Sequence, residues 1–196
     1  MRARDNPFTT ARVLDIRYVL PHGDWPALLA RLAALRYRGA IVGPHGAGKT
    51  TLLEDLQGQL RAAGVPTLAL RLDTARPAFG RGELDACLAS VTPAHVICLD
   101  GAEQLTPIRW TLFERRARRA RGLIITSHRA GRLPTLHTCA TTERLLADIV
   151  SRLLTPAPSI QPAALPTPRE LFLRHQGNLR DALREMYDRY AVLPLA

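Results

Sequence analysis

The run GPHGAGKT at residues 43–50 contains the residue types needed to grip a chain of phosphates. Glycines at 43, 46 and 48 let the backbone turn tightly enough for successive N–H groups to converge on one anion. Lys49 follows with a compact ammonium that can reach phosphate oxygens inside such a loop, and Thr50 brings a hydroxyl suited to Mg²⁺. Of the 27 Lys and Arg residues in the chain, a single one is lysine, and it stands at position 49. A planar guanidinium is too wide for that place. Gly43, Pro44, His45, Gly46, Ala47, Gly48, Lys49, Thr50 and Thr51 are therefore the expected contacts to ATP. His45 reads as a loop residue rather than a catalyst.

Asp100 closes the apolar run HVICLD, where an acid can hold the magnesium with Thr50. The next position, often a water-polarising glutamate in ATPases, is Gly101. Glu103 is the nearest following acid and the candidate base, with a surface acid at a helix start as the competing reading. Thr126, Ser127 and His128 follow a further apolar run, and each could sense a γ-phosphate. Arg129 and Arg132 are candidates for an arginine finger, or ordinary loop arginines.

Positioning these groups takes strands that end at the chemistry and helices that cover them. Short apolar runs at 39–42, 66–72, 95–100 and 122–126, with a shorter one at 136–140, alternate with helical stretches at 49–63, 82–91 and 108–120. That alternation predicts a mostly parallel sheet covered on both faces. Asp24 and Pro26 mark the start of an earlier helix carrying Leu28, Leu32 and Leu35. Helices are also expected at 142–154, 169–175 and 178–192, with the last capped by Asn178. The chain divides on this reading into a lead-in (1–38), a nucleotide-binding core (39–142) and a helical segment (143–196).

No apolar run approaches 18 residues, so no membrane span is expected. The N-terminus lacks the apolar stretch of a secretory signal, which leaves the cytoplasm as the expected place. Cys87, Cys98 and Cys139 are too scattered for a disulfide framework or a zinc site. The formal charge is +10. Arg115, Arg116, Arg118, Arg119 and Arg121 are expected on one helix, as a surface for nucleic acid, for an acidic protein, or simply for water.

Taken in order, GPHGAGKTTLLEDL, VICLDGAEQL, IITSHR and GNLRDAL resemble the Walker A, Walker B, sensor 1 and sensor 2 elements of AAA-type ATPases. The resemblance spans roughly residues 39–190. DGxEQL, LPTL and NPF are further similar to a group of small bacterial ATP-binding proteins. The resemblance implies a three-layer P-loop fold with a five-stranded parallel sheet and a small C-terminal helical lid. It also implies ATP at their junction, Arg180 as the lid arginine facing the γ-phosphate, and assembly on nucleotide binding as an option. Gly101, a short stretch after sensor 1 and a minimal lid depart from the pattern, so slow hydrolysis is expected. A small-molecule kinase using RPAFGR (76–81), or a scaffold that binds nucleotide without hydrolysis, are the competing functions.

Overall fold

Alternating apolar stretches become strands wherever they can be covered on both faces. The computed structural model of the chain describes residues 6–20, 24–155 and 165–192. By contact these form two compact units, one from residues within 18–43 and 48–139, the other from residues within 1–17, 44–47 and 140–196. The expected lead-in, 1–38, is thus shared between the two. The physical reason is that its two halves bury different side chains.

In the larger unit, β1 (Arg38–Val42), β2 (Thr67–Arg71), β3 (Val96–Asp100), β4 (Gly122–Ser127) and β5 (Thr135–Thr138) form one sheet in the order β2-β3-β4-β1-β5. All four pairings are parallel. β4 is buried at every position because it lies between β3 and β1. The expected last strand, 136–140, is observed one to two residues earlier. Its register on β1 shifts between Ala40 and Ile41.

Helices cover the two faces. Ile97, Leu99, Leu123 and Ile125 point to one side, where they meet α4 (Glu83–Leu88) and α5 (Pro107–Ala117) through Leu84, Leu88, Trp110 and Phe113. The pleat sends Ile41, Cys98 and Ile124 to the other side. There α3 (Lys49–Ala62) lies on the sheet with Leu52, Leu53, Leu56 and Leu60 buried. Burial pushes the Cys98 thiol up to about 12, so it packs as a neutral group. α2 (Trp25–Ala34) starts where Asp24 accepts a hydrogen bond from the Ala27 N–H at 2.9 Å, and it buries Leu28 and Leu32.

The smaller unit is helical: α1 (Thr10–Leu14), α6 (Glu143–Leu154), α7 (Pro168–Arg174) and α8 (Leu179–Ala191). Leu146, Val150, Leu171, Leu183 and Met186 form its core. The NPF run belongs here. Phe8 packs edge-on against Tyr190 at 5.9 Å, and the Asn6 amide donates to the Tyr187 carbonyl at 2.9 Å. Thr142 caps α6, and Thr167 with Glu170 makes a capping box on α7. Arg174, His175 and Arg189 converge on Glu185. Among the described residues no helix is long and apolar enough to cross a membrane.

One placement differs from the sequence expectation. α5 ends at Ala117, so Arg115 and Arg116 lie in its last turn while Arg118, Arg119 and Arg121 follow it. Cations suit that end of a helix, where carbonyls are unpaired.

Candidate nucleotide site

The carboxyl ends of β1, β3 and β4 bring the chemistry together within the larger unit. α3 begins at Lys49, directly after β1 and its loop. The Lys49 side chain is buried, and its ammonium donates to the Gly43 carbonyl at 2.9 Å. The Thr50 hydroxyl donates to Asp100 Oδ2 at 3.0 Å, and the Thr126 hydroxyl donates to Asp100 Oδ1 at 2.6 Å. The same Thr126 oxygen accepts from the Gly101 N–H at 2.8 Å. Both carboxylate oxygens of Asp100 are therefore aimed by hydroxyls from two other elements. Of the three residues at the tip of β4, Thr126 is the one on Asp100. Ser127 gives its carbonyl to the Gly43 N–H at 3.2 Å.

His128 turns instead to Glu103, with Nε2 3.2 Å from Oε1. A cleft of about 350 Å³ is lined by Glu103, Ser127, His128, Arg129 and Arg132 among others. Glu103 Oε2 is buried there with no hydrogen-bond partner in the described structure. Arg132 is tied inward. It donates to the Leu105 carbonyl at 2.5 Å and stacks over Trp110 at 5.0 Å. Its pKa is lowered by burial and partly restored by Glu103. Held this way, Arg132 anchors its loop, whereas Arg129 is exposed.

Gly101 has a reason of its own. Its φ is +83°, and a Cβ there would stand 2.1 Å from the Leu72 carbonyl oxygen. No side chain, a glutamate included, fits after Asp100 without moving β2's exit.

The crown of the loop, Pro44–Ala47, is grouped with the helical unit. A Cβ on Gly46, whose φ is +71°, would stand 2.0 Å from Asn178 Oδ1 and 3.1 Å from the Arg180 amide nitrogen. Asn178 caps α8 by accepting from the Arg180 and Asp181 N–H groups. The Arg180 side chain is exposed and forms no ion pair among the described residues. His45 is exposed and Thr51 half-buried at the start of α3.

Tyr18 was not legible as part of this region. Its N–H donates to Asp55 Oδ2 at 2.8 Å, its hydroxyl lies 3.2 Å from His137 Nε2, and its ring sits under Gly48. A lone tyrosine thirty residues upstream carries no motif that could have announced this.

No protein-family model matches the chain, and no curated protein matches it in sequence. Solved structures do. A lysine-to-arginine variant of Thermotoga maritima RuvB superposes with a TM-score of 0.56 at 17% identity, covering 83% of this chain and 61% of that one. A threonine-to-valine variant of the same protein gives 0.55 at 20% identity, covering 82% and 58%. The chain shares its fold with these structures: an all-parallel five-stranded sheet flanked by helices. The chain spans less than two thirds of the length of these RuvB structures.

Proposed function

We propose that the protein binds Mg·ATP through Gly43–Thr51 and acts as an AAA-type ATPase or ATP-driven switch on a partner, in the cytoplasm. The observation that carries this reading is the Thr50–Asp100–Thr126 chain, at 3.0 and 2.6 Å. A hydroxyl and a carboxylate at hydrogen-bond distance form a hard, all-oxygen donor pair. Among the described residues no group of three or more His, Cys, Asp or Glu could hold a metal. Magnesium suits such a site, since it keeps waters and takes few protein ligands beside the phosphates. Thr50 and Asp100 would hold it, and it would neutralise charge on the β and γ phosphates. Lys49 would exchange the Gly43 carbonyl for phosphate oxygens, and the loop amides would supply the rest of the grip.

Glu103 would orient the attacking water. Its unpartnered Oε2 favours that role, and His128 on Oε1 would fix the carboxylate's direction. Because Gly101 leaves no base beside Asp100, turnover by the isolated chain should stay below roughly 10 per second, a typical enzyme value. Glu103→Gln is expected to lower phosphate release a further ~100-fold while ATP affinity holds. A phosphate-release assay checks this, and unchanged turnover in the variant would remove Glu103 from the chemistry. A complete lack of turnover in the parent chain would favour the second reading, a nucleotide-binding scaffold, which the Gly101 geometry also supports. The kinase reading gains little, because the Arg76 guanidinium is engaged with Glu83 at the start of α4.

Arg180 would face the γ-phosphate. Supporting this are its guanidinium, in no ion pair among the described residues, and its backbone beside Gly46. A cation in the first turn of α8 opposes the helix dipole, so an anion is the natural complement. Arg180→Ala should weaken ATP about tenfold and ADP less than about twofold, read by competition with a fluorescent nucleotide. Equal losses for both would make it a surface arginine. Assembly on nucleotide binding, and kinship with small bacterial ATP-binding proteins through DGxEQL, LPTL and NPF, belong to the same proposal.

A further inference from the structure

The outer face of α5 combines an exposed aliphatic pair with exposed arginines. Ile108 and Leu112 are 76% and 50% exposed, four residues apart and hence on one stripe. The helix cannot roll to hide them, because Trp110, Phe113 and Ala117 on its inner face fill the core beneath the sheet. Around the pair stand Arg109, Arg115, Arg118 and Arg119, all exposed and none in an ion pair among the described residues. The neighbours differ: Arg116 pairs with Asp85 at 3.0 Å, and Arg121 lies 4.1 Å over the Tyr37 ring.

We propose that this face docks an acidic amphipathic segment of a partner protein. The partner's apolar side chains would cover Ile108 and Leu112, and its carboxylates would meet Arg109, Arg115 and Arg119. Charge complementarity speeds and orients the encounter, and the buried aliphatic pair holds it. A nucleic-acid backbone would satisfy the arginines but leave the aliphatic stripe against a polyanion. Surfaces that grip bases present aromatic rings for stacking. Here both rings of the helix point inward. The eleven residues of α5 span about 16 Å, enough for some three turns of a partner helix. An interface of that size is weak and transient.

The test uses the full chain and a fluorescein-labelled synthetic peptide of about four helical turns, with glutamates on one face and leucines at alternating three- and four-residue spacing. Two comparison probes are the same peptide with every leucine replaced by serine, and a short DNA duplex. Micromolar binding of the leucine peptide is expected. Serine in the peptide, or Ile108→Ser with Leu112→Ser in the protein, should weaken it about tenfold or more. Arg115→Gln with Arg119→Gln should flatten its salt dependence. The replaced side chains are exposed, and a thermal melt verifies that each variant is folded. Absence of saturable peptide binding, indifference to the apolar pair, or tighter binding of the duplex would each overturn the proposal.

Discussion

Gly101→Glu, which would place an acid directly after Asp100, is expected to destabilise the protein. At φ +83° a side chain is strained by about 1–2 kcal/mol before it touches anything. A Cβ would also fall 2.1 Å from the Leu72 carbonyl oxygen, well inside contact distance. That carbonyl cannot simply retreat. The Leu72 N–H donates to the Asp100 carbonyl at 2.9 Å, and the Gly101 N–H donates to Thr126 at 2.8 Å, so relief would loosen β2, β3 and the aspartate together. Total losses of about 4 kcal/mol are in keeping with backbone strain plus a broken buried network, which lowers the melting temperature by roughly 10 °C in a chain of this size. Gly101→Ala should show most of the same loss, because the Cβ alone makes the clash. Circular dichroism melts check both. A Gly101→Ala protein melting within about 2 °C of the parent would show that the turn is adaptable and that some other pressure keeps glycine there.

The parts of the molecule that the sequence made legible are those where one physical rule dominates. HVICLD and GLIIT read as buried strands because continuous β-branched and aliphatic runs have few other uses. Asp24 and Asn178 announced helix starts because their side chains satisfy amides at the first turn. The phosphate loop was legible because its glycines, lysine and threonine must stand at fixed spacing. What escaped detection depended on distance through space. Tyr18 reaches Gly48 and His137 by the path of the chain before α2. Sequence left Thr126, Ser127 and His128 equivalent, whereas the parallel register of β3 and β4 sets Thr126 beside Asp100, and the turns after the two strands bring His128 to Glu103. Arg132 read as an arginine-finger candidate or a solvated loop arginine, yet Trp110 and the Leu105 carbonyl draw it inward. The end of α5 was overrun because arginine is a good helix former, and nothing in RRARRAR marks a stop.

Lys49→Ala is expected to abolish measurable Mg·ATP binding while the protein stays folded. The ammonium is 8% exposed and makes a hydrogen bond to the Gly43 carbonyl, at 2.9 Å. In the bound protein it would hold phosphate oxygens instead, through charge-assisted bonds each contributing about 1.5–3 kcal/mol. Losing two of them weakens binding by at least about 100-fold. Lys49→Arg should do little better, since a planar guanidinium needs room that the loop backbone occupies. The fold should persist, because water can satisfy the Gly43 carbonyl once the ammonium is removed. The most direct measurement is an isothermal titration of the purified chain with ATP in the presence of Mg²⁺, run beside the Lys49→Ala protein. Saturable one-to-one binding that disappears in the variant, with unchanged circular dichroism, is the result predicted. No saturable binding to the parent chain, or equal affinity in a folded Lys49→Ala protein, would contradict the account.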